Sequence, residues 1–171
     1  MKACFIGLGY IGLPTAIVAA DNGIEVIGVD VNPKVVETIN RGKIHIVEPG
    51  LADLAAKVVQ NGGLKAQLEP EVSDVFLIVV PTPFTGDHEP DISYVEAATR
   101  SVIPYLKEGD LFIIESTSPV GTTEQMAELI FAERPELKGK VYIAYCPERV
   151  LPGNIIYELV NNDRVIGGLD A

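Results

Sequence analysis

Residues 2–30 read KACFIGLGYIGLPTAIVAADNGIEVIGVD, and this stretch decides the fold. Ala3 to Ile6 is a short apolar run that predicts a buried strand, and it leads directly into a glycine-rich turn. Glu25 to Val29 predicts a second strand, which ends at Asp30. The intervening segment has helical spacing and places small residues on one face, which favours close contact with a sheet: Gly12, Ala16, Ala19 or Ala20, and Gly23. The stretch therefore predicts a βαβ unit.

The glycine-rich turn has the spacing G-x-G-x-x-G at Gly7, Gly9 and Gly12. Gly7 permits a tight turn, Gly9 lacks the Cβ that would block a pyrophosphate, and Gly12 lets the helix lie close to the strand. The amides at the start of the helix, together with its dipole, form an anion site. The alternative is a βαβ unit in which these glycines only make turns. We favour a dinucleotide site, whose cofactor contacts five residues of the turn: Gly7, Gly9, Tyr10, Ile11 and Gly12.

Asp30 selects between the two nicotinamide dinucleotides. It follows the second strand, where a carboxylate accepts hydrogen bonds from both ribose hydroxyls of an adenosine. A 2′-phosphate at this position would meet a like charge, so the sequence predicts NAD rather than NADP. The alternative is that Asp30 only caps a turn at the end of the strand.

The composition excludes several classes of protein. The chain has 171 residues, 47% of them hydrophobic and 22% charged, as expected of one globular domain. A formal net charge of −11 argues against nucleic acid as a partner. We expect neither membrane insertion nor secretion, because no apolar run approaches a membrane span and Met1 leads at once into a strand. Cys4 and Cys146 form no paired framework, so we expect a cytoplasmic protein.

The rest of the chain alternates apolar runs with helical patterns. Helices are expected after Asn32-Pro33, after Pro49-Gly50, after Asp91 as cap, and from a capping box at Thr122 to Gln125. Strands are expected at five further places: 64–67, 75–80, 111–114, 141–145 and 164–167. This alternation predicts an α/β protein with a doubly wound parallel sheet, a Rossmann domain over residues 1–171 whose second half is incomplete.

Polar turns follow the strands of the second half. Pro81-Thr82-Pro83 ends the 75–80 strand and is expected to line the cofactor cleft, because ligands lie beyond the carboxyl ends of parallel strands. The hydroxyl side chains in the segment Glu115 to Gly121 either cap a helix or lie beside a nicotinamide. Glu148 follows the 141–145 strand and acts on a substrate as acid or base, unless it only pairs with Arg149 or a neighbouring helix.

Two acidic stretches with histidine resemble metal sites but lack compact ligand spacing. In the first, His45, Glu48 and Asp53 are interpreted as satisfied loop residues, and we expect no metal. The second is the loop Phe84 to Asp91, which we interpret as a substrate-side loop without a metal; its candidate ligands are Asp87, His88, Glu89 and Asp91.

With these motifs in place, the chain resembles the amino-terminal domain of the nucleotide-sugar 6-dehydrogenases, the UDP-glucose/GDP-mannose dehydrogenase family. Nearly the whole chain takes part, through the motifs GLGYIGLPTA, IHIVEP, VPTPF, GDHEPD, ESTSPVGTTE, YCPERVLPGN and NDRVIGG. Three of them, IHIVEP, GDHEPD and PERVLPG, favour the branch that acts on UDP-N-acetyl-D-mannosamine over the UDP-glucose branch. A related UDP-acetamido sugar is the alternative substrate.

The resemblance implies a double oxidation of a primary alcohol to a carboxylate, with two NAD molecules reduced. Under it Gly7, Gly9, Gly12 and Asp30 would hold NAD. The same resemblance gives roles to residues of the second half. Pro81, Thr82 and Thr117 would border the nicotinamide, Thr117 would also order a water, and Glu148 would do acid-base work during thioester hydrolysis. A UDP-sugar would lie near Glu148, Arg149, Val150 and Leu151.

The sequence departs from the family in one respect. The family's catalytic cysteine lies in a Gly-Gly-x-Cys turn of a later domain, with a lysine and an asparagine nearby, and none of these motifs is present here. Cys146 lies outside that motif and is not assigned as a nucleophile. We therefore expect a cofactor-binding domain that binds NAD without turnover, and that lacks the central dimerisation helix and the UDP-sugar domain. The resemblance implies a homodimer for the full-length enzyme.

Two rival functions stay open. A free-standing NAD-responsive binding module would not need the base Glu148 or the water-ordering Thr117. A β-hydroxyacid dehydrogenase also begins with a domain of this type, but PERVLPG and GDHEPD have no counterpart there.

Overall fold

The computed structural model describes residues 1–86 and 88–169. The strands in this part are β1 (Lys2–Ile6), β2 (Glu25–Val29), β3 (Leu64–Gln67), β4 (Val75–Ile78), β5 (Phe84–Thr85), β6 (Glu89–Pro90), β7 (Leu111–Ile114), β8 (Tyr142–Tyr145) and β9 (Gly167–Gly168). The α-helices are α1 (Gly12–Asp21), α2 (Pro33–Asn40), α3 (Leu51–Gln60), α4 (Ser93–Val102), α5 (Thr122–Glu133) and α6 (Ile155–Asn161).

Seven strands form one sheet in the order β3-β2-β1-β4-β7-β8-β9. All neighbours from β3 to β8 are parallel, which confirms the predicted doubly wound sheet. The strand predicted at 164–167 is instead the two-residue β9, and it runs antiparallel. The chain enters β9 beside the carboxyl end of β8, with Gly167 opposite Tyr145, so no crossover precedes it. The remaining two strands, β5 and β6, form a separate hairpin.

The sheet is buried on both faces, which explains the apolar run of β1. Cys4 and Ile6 join the core under α4 and α5, whereas Ala3 and Phe5 join the core under α1 and α3. Cys4 is fully buried, as expected of a core residue, and burial raises the pKa of its thiol to about 11.

Helix starts show where local sequence patterns succeed. Asn32 accepts a hydrogen bond from the Lys34 amide at 3.0 Å and Pro33 is the first residue of α2, both as predicted. Asp91 also accepts from the Ser93 amide at 2.9 Å, but the N-cap of α4 is Ile92, so Asp91 lies one residue before the cap position.

Two features of the second half were not predicted correctly. The capping box at Thr122 is wrong: Gly121 at φ +92° is the N-cap, without a side-chain bond, and Thr122 is already helical and buried. The left-handed turn after Pro119 takes the place of a capping side chain, because the Thr122 amide donates to the Pro119 carbonyl at 3.2 Å. The sequence patterns also do not predict α6, a helix of seven residues.

Candidate functional site

A cleft of about 640 Å³ opens at the carboxyl ends of β1, β4 and β7. The chain leaves β1 toward β2 on one side and continues from β4 toward β7 on the other, so the cleft lies where the strand order reverses. Its volume suits a small molecule. Nine of the residues expected at the site line it: Gly7, Gly9, Tyr10, Ile11, Asp30, Pro81, Thr82, Thr117 and Glu148.

The structural reason for glycine differs among the three positions of the turn. Gly7 has φ +101°, and a Cβ there would overlap the Val79 carbonyl oxygen. A Cβ at Gly12 would overlap the Gly7 carbonyl oxygen, so Gly12 is needed for the close approach of α1 and lies beneath the cleft rather than in its lining. A Cβ at Gly9 would have no atom of the described residues within 4 Å. Gly9 therefore leaves open space at the cleft, where a ligand can approach the backbone.

The start of α1 provides hydrogen-bond donors for an anion. No side chain caps this helix and its first turn holds no acidic residue. In the described part of the chain, the amides of residues 9–12 donate to no side chain and to no carbonyl outside the helix. Unpaired amides and the positive end of the helix dipole make a phosphate site, although the net charge of the whole chain is −11.

Asp30 caps a turn at the end of β2, one of the two roles considered from the sequence. One carboxylate oxygen accepts from the Asn32 amide at 2.9 Å and the other from the Leu8 amide at 3.1 Å, so Asp30 caps a turn and also fixes the glycine-rich turn. A carboxylate has about four acceptor positions, and two are used here. Asp30 also lines the cleft, which leaves acceptors available for ribose hydroxyls.

Two turns form the opposite end of the cleft and are tied to each other. The Thr82 hydroxyl donates to the Thr117 carbonyl at 2.6 Å, and the Ser116 hydroxyl accepts from the Val80 amide at 2.9 Å. Ser118 receives support from the next strand, because its amide donates to the Tyr145 hydroxyl at 3.2 Å. The Ser116 hydroxyl therefore links the ends of β4 and β7, the Ser118 hydroxyl donates to the Ser116 carbonyl at 3.0 Å, and no side chain caps α5.

Glu148 is held at the cleft by two donors. Its side chain is 8% exposed; one oxygen accepts from the Arg149 amide at 2.7 Å, and the other pairs with the Arg164 guanidinium. The ion pair considered from the sequence, with the Arg149 side chain, does not form. The Arg149 guanidinium instead donates to the Asp163 carbonyl at 2.7 Å.

Arg164 also contacts Glu115, a residue that the sequence reasoning did not select. The Glu115 side chain is 2% exposed and lines the cleft. Its Oε1 accepts from Arg164 at 3.0 Å, and its Oε2 has no hydrogen-bond partner among the described residues. Burial raises the pKa of the Glu115 carboxyl, and the Arg164 guanidinium opposes this. The available signal was a carboxylate directly after a buried strand.

Of the residues expected near a sugar nucleotide, Glu148 lines the cleft, whereas Arg149, Val150 and Leu151 do not. Arg149 is exposed, Val150 is 9% exposed and Leu151 is 67% exposed. Glu48, considered above as a metal ligand, is buried and holds the chain that follows this segment. Its carboxylate accepts from the Gly153 and Ile155 amides at 2.8 Å each.

One wall of the cleft was missed by the sequence reasoning. Tyr94, Ala97, Ala98 and Ser101 line it from α4, with spacing that places them on one helical face. The substrate-side interpretation of the loop 84–91 stays a prediction, and Asp87 lies outside the described residues.

A sequence profile decides the family. The profile of the UDP-glucose/GDP-mannose dehydrogenase family, NAD binding domain, matches residues 1–171. The chain belongs to this family. Membership confirms the resemblance seen in the sequence, and it confirms NAD as the cofactor of the domain.

Individual relatives of the family share much of the sequence. UDP-N-acetyl-D-mannosamine dehydrogenase of Escherichia coli K12 is 58% identical over 96% of this chain and 41% of its own length. NDP-N-acetyl-D-galactosaminuronic acid dehydrogenase of Ralstonia nicotianae is 55% identical over the same shares. The chain thus spans about two-fifths of the length of these relatives.

A solved structure of the family has the same fold. UDP-N-acetyl-mannosamine dehydrogenase of Staphylococcus aureus superposes with a TM-score of 0.94 at 44% identity, over 99% of this chain and 42% of that one. The expected likeness to the mannosamine branch is therefore confirmed.

Across residues 1–86 and 88–169, no helix is both long enough and apolar enough to cross a bilayer.

Proposed function

We propose that this chain is the NAD-binding domain of a UDP-sugar 6-dehydrogenase that oxidises the C6 hydroxyl of UDP-N-acetyl-D-mannosamine to the uronate with two NAD. One observation carries the proposal: unpaired amides at the start of α1 and the Asp30 carboxylate share a cleft with Thr117 and Glu148. The proposed cofactor site and the proposed acid-base group thus line the same cleft.

The residues of this chain divide the binding of NAD between them. The amides of Gly9 to Gly12 would hold the pyrophosphate, Asp30 the adenosine ribose, and Pro81, Thr82 and Thr117 the nicotinamide end. NAD, when bound, supplies the acceptor for a hydride. The turns at Thr82 and Thr117 are already joined by a hydrogen bond without NAD, which reduces the ordering that binding requires at that end.

Glu148 and Thr117 are proposed to act on the substrate side. Glu148 is held at the cleft by Arg164 and by the Arg149 amide, and a general base must be positioned in this way before it can act. The Thr117 hydroxyl would order the water that hydrolyses a thioester. The nucleophile belongs to the family's Gly-Gly-x-Cys turn, so we expect this chain alone to bind NAD without turnover.

The identity of the sugar depends on likeness to relatives. The mannosamine substrate is favoured by the relatives of that name, whereas the galactosaminuronic acid relative, at similar identity, keeps another acetamido sugar as the alternative. UDP-glucose is the further alternative within the family. The proposed binding segment is Arg149 to Leu151. A cytoplasmic location and a homodimer of the full-length enzyme stay predictions.

Gly9→Ala tests the cofactor site without disturbing the fold. The new Cβ meets no atom of the described residues, so we expect the free energy of unfolding to stay within about 1 kcal/mol of wild type. We expect NAD affinity, measured by calorimetry, to fall about 100-fold or more, because the methyl group occupies the path of the pyrophosphate. NADP should bind the wild-type chain more weakly than NAD.

Gly167→Ala is the matched control, since a Cβ there also meets no atom of the described residues within 4 Å. It should leave NAD affinity unchanged. Equal affinities of wild type and Gly9→Ala would contradict the proposed site. Sustained NADH production from UDP-N-acetylmannosamine by this chain alone would contradict the expected lack of turnover.

A further inference from the structure

A buried cluster of charges joins the carboxyl ends of β7 and β8. The Arg164 guanidinium lies between Glu115 and Glu148 and pairs with both carboxylates. The side chains of these two glutamates are 2% and 8% exposed, and that of Arg164 is 31% exposed. Cys146 completes the surroundings, with its sulfur 3.8 Å from the guanidinium. Such burial makes each charge dependent on its partners.

The arrangement makes Arg164 the centre of the cluster. The backbones of the two acidic residues are also joined, because the Glu148 amide donates to the Glu115 carbonyl at 3.3 Å. Their carboxylates are thus held near each other and would repel without a cation between them. The guanidinium presents one terminal nitrogen to each carboxylate, a geometry that the point charge of a lysine reproduces poorly.

We propose that Arg164 is a positioning residue that holds the Glu148 carboxylate in place at the wall of the cleft, and that Glu115 fixes the guanidinium from the other side. This inference rests on the proposed function, in which Glu148 is the acid-base group. It gives residues 155–164 a role: α6 and the chain after it carry Arg164 back to the strand ends.

The proposal predicts that the pKa of the Glu115 carboxyl depends on both charged neighbours, Arg164 and Glu148. The charged and titratable groups facing Glu115 are Arg164 from the chain after α6, and Glu148 and Cys146 from the turn after β8. Burial raises the pKa of Glu115, Arg164 lowers it and the Glu148 charge raises it. Removing Arg164 should therefore raise the pKa of Glu115 further, whereas removing the Glu148 charge should lower it.

The first experiment follows the carboxyl carbon of Glu115 by NMR in the 171-residue chain as the pH is varied. Arg164→Met should move the midpoint up by about one pH unit or more, Glu148→Gln should move it down, and Arg164→Lys should lie between wild type and Arg164→Met. Arg41→Met, which removes an exposed arginine of another ion pair, is the control and should move nothing. If Arg164→Met does not fold, Glu148→Gln still tests whether the pKa of Glu115 depends on its charged neighbours. An unchanged midpoint in the folded variants would overturn the coupling.

The second experiment uses the full-length enzyme. Arg164→Met should lower kcat about 10-fold or more, because Glu148 loses its position, while NAD affinity and the KM for NAD stay within about twofold of wild type. Arg164→Lys should restore part of kcat. An unchanged kcat in an enzyme that binds NAD and oxidises the UDP-sugar would overturn the positioning role alone. A wild-type chain that does not bind NAD would overturn the proposed function, and the role of Arg164 with it.

Discussion

Substitution of Glu48 tests which contacts stabilise the chain around the start of α6, at the edge of the cleft. Glu48 is buried, and its two carboxylate oxygens accept from the amides of Gly153 and Ile155 at 2.8 Å each. These bonds join positions 105 and 107 residues apart. They hold the start of α6, so Glu48 indirectly supports the segment that carries Arg164. Glu48→Ala removes both bonds without a new contact.

The expected magnitude follows from the type of bond. A hydrogen bond to a charged group contributes about 1.5–3 kcal/mol, so two give about 3–6 kcal/mol as an upper range. The Gly153 amide is partly exposed and regains water when Glu48 is removed, whereas the Ile155 amide is buried and does not. We therefore expect Glu48→Ala to lower the free energy of unfolding by about 3 kcal/mol. Glu48→Gln keeps one oxygen acceptor but turns an NH2 donor toward the other amide N–H, so it should also lose about 3 kcal/mol.

Urea unfolding of the 171-residue chain measures the difference. Glu128→Ala is the matched control, because Glu128 is exposed on α5 and should change stability by less than about 0.5 kcal/mol. Hydrogen exchange of the Ile155 amide gives a local readout and should speed up in Glu48→Ala. If Glu48→Ala and Glu128→Ala unfold at the same urea concentration, the two bonds do not hold this edge and the reasoning is refuted.

Two further predictions concern the glycine-rich turn and its carboxylate. Gly12→Ala places a methyl group against the Gly7 carbonyl and should lower the free energy of unfolding by more than about 2 kcal/mol in thermal melts; a loss as small as that of Gly9→Ala would show that α1 can move away. Asp30→Asn keeps an acceptor but removes the charge. It should weaken NAD binding about 10-fold and reduce the ratio of NAD affinity to NADP affinity. Calorimetry with both cofactors measures this, and an unchanged preference would remove Asp30 from the ribose site.

Local sequence was sufficient where neighbouring residues act on one another. The first strand, the glycine-rich turn, α1 and the second strand occupy one continuous stretch, and the constraint on Gly12 arises within it, against the Gly7 carbonyl. Gly7 is also constrained by the Val79 carbonyl, which follows β4. Asn32 with Pro33 set the start of α2 in the same way. The prediction of a capping box at Thr122 was wrong although it also rests on local sequence. The turn after Pro119 puts Gly121 in a left-handed conformation, and Gly121 therefore becomes the N-cap of α5.

By itself, then, the amino-acid sequence determined the doubly wound sheet, the glycine-rich turn after β1 and NAD as the cofactor, because periodicity and glycine spacing act over a few residues. Only the tertiary structure decided which charges meet. Arg164 reaches Glu115 across 49 positions, and Glu48 reaches α6 across more than 100. No pattern along the chain encodes such pairs, since they depend on which strand ends lie side by side in the sheet and on how the chain after α6 returns to them.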